Sequence, residues 1–281
     1  MLNPFVEHYY ANLFPWETVW DKCFHPTKCT REFGVTCDGV MKRHIHLSDS
    51  DQLKELVCRQ QEEFDIHFGA EYDEGQEWRG REFVIDMEPQ SHVIHKSWWR
   101  DAWSDTEETG CVCAAKTFPV CMTCIGRMVR LTRMLCRILK ERWFVRRQVV
   151  LYSGGRSIHV IVSDEHVRKW TSAARRTAIC TLKSQVDELV PMTESFSDAL
   201  IDEPVSIGHN HLMRLPMSVR FPSMRIGFPL TNLFDDKDPC IRRLLDAQTV
   251  HELPTVTSIV EEYGSDADAF VHDFPLDHVS F

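Results

Sequence analysis

Residues 148–163 most restrict what this chain can fold into. QVVLYS (148–153), the turn Gly154-Gly155 and SIHVIVS (157–163) form two β-branched apolar runs joined by tight glycine chemistry, the pattern of a β-hairpin. Two more runs, FDIHF (64–68) and EFVIDME (82–88), read as strands bracketing a polar, glycine-containing loop. Strands arriving in adjacent pairs, without regular βαβ alternation, predict an α+β fold. Three segments read as helices. SDQLKELVCRQQEE (50–63) has Ser50 as its N-cap and Leu53, Leu56 and Val57 on one face. Residues 122–143 carry Ile125, Met128, Leu131, Leu135, Ile138 and Leu139 at helical spacing. Residues 164–190 predict one long amphipathic helix with Val167, Trp170, Ala174, Ala178, Leu182, Val186 and Leu189 on a stripe. Pro191, Pro204, Pro216, Pro222 and Pro229 then break the chain into short strands and turns.

The 281 residues are 43% hydrophobic and 26% charged, the balance of a globular protein rather than a disordered one. No apolar run approaches the roughly 18 residues a bilayer span needs. The opening MLNPFVEHYYANLFPW has an acid, no basic n-region and no small-residue cleavage site, so neither a secretory signal nor a transit peptide is expected there. Eleven cysteines include seven scattered ones (Cys23, Cys29, Cys37, Cys58, Cys136, Cys180, Cys240) and four crowded into 111–124. Reduced thiols with one metal cluster fit that distribution better than a disulfide framework, which predicts an intracellular protein.

Net charge is −10, but it is unevenly spread. Residues 127–156 hold nine Lys or Arg against one acid, Glu141, whereas residues 60–110 hold fourteen acids against four bases. A polyanion responds to the local field and not to the sum. The segment 261–281, with six acids and no Lys or Arg, reads as a solvated or partner-binding tail.

Four constellations can carry chemistry. In the strand EFVIDME, Asp86 and Glu88 are two residues apart and so project from the same face. Two neighbouring carboxylates repel unless a cation such as Mg²⁺ or Mn²⁺ lies between them, although an alternating strand with a solvated face also produces D-x-E. Cys111-x-Cys113-x7-Cys121-x2-Cys124 suits a structural, tetrahedral Zn²⁺, with His92 or His95 as an alternative ligand for the tight first half. Ser153-Gly154-Gly155-Arg156-Ser157-Ile158-His159 gathers a hydroxyl, a guanidinium and an imidazole at a turn where the backbone can approach closely, the donors a triphosphate needs; an ordinary glycine hairpin is the alternative. Asp202 and Arg214, in a segment containing His209-Asn210-His211, offer a third metal-facing carboxylate and another phosphate contact, or a plain surface loop; the two histidines read as structural.

In order, the carboxylate pair, cysteine knuckle, basic helix, S-G-x-R-x-x-H and Asp…H-L-x-R-x-P resemble the catalytic (small) subunit of DNA primases of the archaeo-eukaryotic superfamily, closer to the eukaryotic and DNA-virus branch. The resemblance runs over most of the chain, from Tyr9, Tyr10 and Leu13–Pro15 through Arg31-Glu32-Phe33 to Leu253–Val256. It implies a single catalytic domain over 1–281, with mixed β-sheets flanked by helices and the zinc knuckle inserted at 111–124. Carried over by position, Asp86, Glu88 and Asp202 match the carboxylates that hold two Mg²⁺ or Mn²⁺ ions. Glu32 matches an active-site acid. Ser153, Arg156, His159 and Arg214 match the triphosphate contacts, and Arg43 a nucleotide-contacting arginine. Cys111, Cys113, Cys121 and Cys124 match the Zn²⁺ ligands.

The sequence departs from that pattern in several places. The first motif is D-x-E where D-x-D is usual, which leaves ribo- against deoxyribonucleotide choice open. Gly155 stands in place of a second arginine, and Arg220 in place of a histidine. The helical insert before the third carboxylate is absent or reduced to 165–200. The implied activity is template-dependent synthesis of short RNA primers from ribonucleoside triphosphates on single-stranded DNA. The implied partners are a primase large subunit and a replicative polymerase or helicase; the implied location is the nucleus, or a viral replication site, with no membrane. Arg130, Arg133, Arg137 and Lys140, in one sector of the 122–143 helix, are a candidate template-backbone surface or a solvated face. The competing readings are a catalytically inactive nucleic-acid-binding accessory subunit, a primase-polymerase preferring dNTPs, and a metal-dependent nuclease or phosphatase.

Overall fold

Asp38 and Gly39 both adopt positive φ, 49° and 75°, the backbone a two-residue type I′ turn requires. They join β1 (Thr30–Cys37) to β2 (Val40–Leu47). The computed structural model describes residues 2–24, 29–73, 77–88, 122–189, 201–208, 210–247 and 252–276. The hairpin belongs to an antiparallel sheet of order β2-β1-β3-β4, where β3 is Phe64–Tyr72 and β4 is Trp78–Gly80; the short β8 (Met213–Arg214) also pairs with β3. Strand β4 lies inside the stretch expected to be only a polar loop.

The second sheet has the order β11-β6-β7-β5 and is also antiparallel: β5 is Phe83–Met87, β6 Gln148–Tyr152, β7 Ile158–Val162 and β11 Phe228–Pro229. The hairpin read at 148–163 is its centre. Every residue of β5, β6 and β7 is buried, which accounts for their unbroken apolar runs. A two-stranded ribbon, β9 (Val219–Arg220) with β10 (Arg225–Ile226), follows the proline-rich stretch as expected.

Helix α1 is Pro4–His8, α2 Trp16–Cys23 and α3 Ser50–Cys58. Helix α3 is shorter than expected and its cap is Asp49, whose side chain accepts the Gln52 amide, not Ser50. Helix α4 (Met122–Trp143) has the bounds read from the sequence, and all six apolar positions named there are buried. It packs against β7.

The long helix expected over 164–190 is two helices, α5 (Glu165–Arg168) and α6 (Ser172–Leu189). The Arg168 carbonyl turns away to accept the Arg81 amide, and the Thr171 hydroxyl accepts the Ala174 amide as α6 begins. The buried face of α6 is Arg175, Ile179, Leu182, Lys183 and Val186, so Ala174, Ala178 and Leu189 of the expected stripe lie partly or wholly outside it. The remaining helices are α7 (Glu203–Ile207), α8 (Pro239–Leu245), α9 (Val256–Tyr263) and α10 (Ala267–Asp273). The acidic end is therefore not a tail as far as Leu276: Phe270, Phe274 and Leu276 are buried in the core while the acids face outward. No described helix is long and apolar enough to cross a membrane.

The two sheets are tied by a buried charge cluster. Arg31 of β1 donates to Glu82 Oε1 and Oε2 at 2.8 Å each and also pairs with Glu71 of β3; Arg168 pairs with both acids. The Arg31 guanidinium also lies 4.4 Å from the centre of the Phe24 ring. Arg175 donates to the carbonyls of Arg81, Glu82 and Trp170, which explains a charged residue on the buried face of α6. Burial would raise the Glu82 carboxyl pKa, but Arg31 and then Arg168 outweigh it and hold the group down at about 2. Its stabilising contribution is full above the ordinary value of 4.5 and fades as pH falls towards 2. We expect Glu82→Gln to cost about 3–5 kcal/mol in denaturant unfolding, because Arg31 and Arg168 are left short of a counter-charge. The same variant should lose part of the wild-type fall in stability between pH 4.5 and 2.

Candidate functional site

Register on the second sheet sets the site. Asp86 of β5 lies directly opposite His159 of β7, and His159 Nε2 is 3.3 Å from Asp86 Oδ1. Just past the end of β5, Glu88 accepts from Arg156 Nε at 3.0 Å. The Ser153–Ser157 turn is closed by the Ser153 amide on the Ser157 carbonyl and by the Ser157 amide on Ser153 Oγ, at 3.0 and 3.2 Å. Gly154 is required there: its φ is +74°, and an added Cβ would lie 2.9 Å from the Ile226 carbonyl carbon.

Asp202 reaches the same place through the backbone. Its amide donates to the Asp86 carbonyl at 2.8 Å, and Ile201 bridges Met87. Its side chain caps α7 through the Val205 amide, and Ser206 links back, accepting the Asp86 amide at 3.3 Å. Burial, then the charges of Glu88 and Asp202, push the Asp86 carboxyl up to about 8; a hydrogen bond from Ser157 pulls the other way. His159 is held neutral, down at about 3, by burial and by the positive charges of Arg214 and Arg220. The structure thus brings together Asp86, Glu88, Asp202, Ser153, Arg156 and His159, with Arg214 close enough to act on the imidazole.

Arg214 is held by Asp65 of β3. Neither Asp65 nor its neighbour His67 stands out in the sequence, because a polar residue on alternate strand positions is ordinary. In the fold, His67 pairs in register with Arg214, and its Nδ1 is buried with no hydrogen-bond partner. The two departures noted above meet in space. Arg220 Nη1 lies 1.2 Å from where a Cβ on residue 155 would stand, so the guanidinium fills the volume that Gly155 vacates. An arginine supplied from β9 occupies the side-chain space of the one missing from the turn.

Glu32 and Arg43 pair with each other, Arg43 Nη2 donating to Glu32 Oε1 at 3.1 Å, on the first sheet rather than among the three carboxylates. Leu212 lies over Gly34 and Gly69 beside them: an added Cβ at either glycine would come within 2.6 Å of its methyls. Burial, and then the charge of Arg81, lowers the pKa of His211, with Asp202 pulling the other way.

Of the basic sector of α4, Arg133 is committed elsewhere. It donates to the Leu233 carbonyl at 2.6 Å and pairs with Asp236, while Arg137 lies 5.8 Å from the Phe234 ring centre. The 233–236 loop thus takes Arg133. Cys124 is buried in the first turn of α4, whereas Cys111, Cys113, Cys121, His92 and His95 lie outside the described residues. The described cysteines form no disulfide with one another.

Asp86 Oδ1 is buried without a hydrogen-bond partner, and the surrounding donors are carboxylate oxygens, which is the chemistry of Mg²⁺ or Mn²⁺. In the arrangement described, no three His, Cys, Asp or Glu side chains among the described residues are grouped to hold an ion. Glu88 is engaged by Arg156, and Asp202 by its helix cap.

No protein-family model matches the sequence, and no curated protein does. Among solved structures, the polymerase domain from Mycobacterium tuberculosis ligase D in complex with DNA is similar, at 13% identity and a TM-score of 0.46, over 89% of this chain and 77% of that one.

Between the ordinary carboxyl value of 3.8 and about 8, folding draws a proton onto Asp86, so wild-type stability should decline as pH rises through that window. Asp86→Asn removes the disfavoured charge. We expect it to raise the thermal midpoint at pH 7–8 and to leave it unchanged below pH 4, read by scanning calorimetry.

Proposed function

We propose that this chain is the catalytic subunit of a DNA primase, joining nucleotides on a single-stranded DNA template by nucleotidyl transfer. The observation that carries this reading is the meeting of the Asp86, Glu88 and Asp202 carboxylates with a turn that offers Ser153, Arg156 and His159, flanked by Arg214 and Arg220. A site with acids on one side and guanidiniums on the other suits a metal-bound triphosphate; a simple hydrolase would need no such cationic wall.

Asp86, Glu88 and Asp202 would hold Mg²⁺ or Mn²⁺, which would activate the attacking hydroxyl and offset charge on the departing pyrophosphate. Ser153 and Arg156 position phosphate oxygens at the turn. Binding would draw Arg156 off Glu88 and onto the nucleotide, freeing the carboxylate in the same movement. The neutral His159 donates a hydrogen bond without adding a charge beside Asp86. Arg214, steered by Asp65, and Arg220, seated over Gly155, neutralise the outer phosphates. Glu32 and Arg43 flank the nucleotide from the first sheet. A structural Zn²⁺ on Cys111, Cys113, Cys121 and Cys124 completes the proposed cofactors. A large subunit, a replicative polymerase or helicase, and a nuclear or viral replication site complete the proposed setting.

The test is incorporation of labelled rNTPs and dNTPs on single-stranded DNA with Mg²⁺ or Mn²⁺. Asp86→Ala and Asp202→Ala should each lose at least about 100-fold in rate while remaining folded by circular dichroism. A folded Asp86→Ala protein with wild-type synthesis would end the proposal. Gly155→Ala should displace only the end of Arg220, leaving thermal stability nearly unchanged while raising the KM for nucleotide several-fold; an unaltered KM would remove Arg220 from the triphosphate site.

A further inference from the structure

Phe144 is the most exposed large apolar side chain among the described residues, at 76%. Its backbone is also the least suited to it. It follows the last residue of α4 with φ +55°, the left-handed conformation that glycine normally supplies at a helix end. The turn is well made: the Val145 amide returns to the Leu139 carbonyl at 3.0 Å, and Val145 is buried. The next two amides, of Arg146 and Arg147, donate to the Asp164 carboxylate at 3.0–3.2 Å. A rigid platform therefore presents a bulky aromatic ring to solvent at a position where glycine would relieve strain.

The stretch that carries the ring is cationic: Arg142, Arg146 and Arg147 flank Phe144 in sequence, in the run RWFVRR (142–147). The side chains of Arg146 and Arg147 make no hydrogen bond or ion pair with the described residues, and Asp164 is occupied by backbone amides. Arg142 faces Glu188 at 3.7 Å, an exposed pair that contributes little. Glu141 is the remaining nearby acid in sequence. An exposed aromatic in an arginine-rich stretch suits a chain of stacked bases joined by phosphates better than an apolar protein partner.

We infer that the end of α4 is a second, non-catalytic contact for single-stranded nucleic acid, in which Phe144 stacks on a base and Arg142, Arg146 and Arg147 meet the flanking phosphates. This inference rests on the nucleic-acid-directed reading of the site above. The contact lies by the Gln148 end of β6, whereas the turn at Ser153–Arg156 follows its other end, so it grips strand outside the reacting centre.

The experiment measures binding of a fluorescent oligodeoxythymidylate of about 20 nucleotides to the full chain, by anisotropy and without nucleotides. Phe144→Gly should weaken binding at least about fivefold, Phe144→Trp should keep it, and Arg146→Gln with Arg147→Gln should make it less salt-dependent. Phe144→Gly should at the same time raise the thermal midpoint, since the strain is gone. Undiminished binding by Phe144→Gly, or a lowered midpoint showing that the ring is packed, overturns the inference. A wild type that copies templates while its Phe144→Gly form binds normally sinks only this inference. A protein with no synthesis but a Phe144-dependent grip sinks only the catalytic proposal.

Discussion

The buried ion cluster of Arg31, Glu71, Glu82 and Arg168 is the constraint on which the arrangement of the two sheets depends. Arg31 and Glu71 belong to the first sheet, Glu82 immediately precedes β5, the strand that carries Asp86, and Arg168 ends the short helix after the β6–β7 hairpin. Charges this deeply buried are tolerated only when each meets its counter-charge in good geometry. That requirement narrows the ways in which the first sheet can lie beside the second, in a manner that interchangeable aliphatic contacts would not. Arg175 extends the constraint by gripping the backbone at residues 81 and 82, and so fixes where the strand begins.

The site inherits its character from that framework. A strand held in place delivers Asp86 opposite His159, and the Ile201–Met87 bridge brings Asp202 alongside. Three acids then lie near four cationic or imidazole groups: Arg156 of the turn, His159 of β7, Arg214 of β8 and Arg220 of β9. Burial, Glu88 and Asp202 raise the proton affinity of Asp86, while burial, Arg214 and Arg220 suppress protonation of His159. Ligands bearing both a divalent cation and several phosphate oxygens would oppose both shifts at once.

Much of this was legible in the chain because it depends on local periodicity. The bounds of the 122–143 helix and the β6–β7 hairpin follow from the 3.6- and 2-residue repeats. The β1–β2 hairpin carries only a local turn signal, Asp38-Gly39, because the flanking strand β2 is mostly exposed and lacks an apolar run. The broken helix at 169–171 was not legible, since the cause is the Arg168 carbonyl bonding to residue 81, far away in sequence. The acidic end misled for a related reason: its aromatic residues look sparse in sequence but fall together on the buried sides of α9 and α10.

The sequence by itself determined the inventory: two carboxylates two residues apart, a glycine turn rich in donors, a cysteine cluster, and a helix with one apolar side. Each follows from neighbours within a few residues, where backbone geometry allows few alternatives. Only the tertiary structure decided the company those residues keep. It placed Asp202 beside Asp86, gave Arg214 to Asp65, turned Arg133 towards a loop, and set Arg220 into the space left by Gly155. These pairings join residues up to 149 positions apart. Packing and charge compensation across the whole fold select such partners, and no short-range repeat in the chain encodes them.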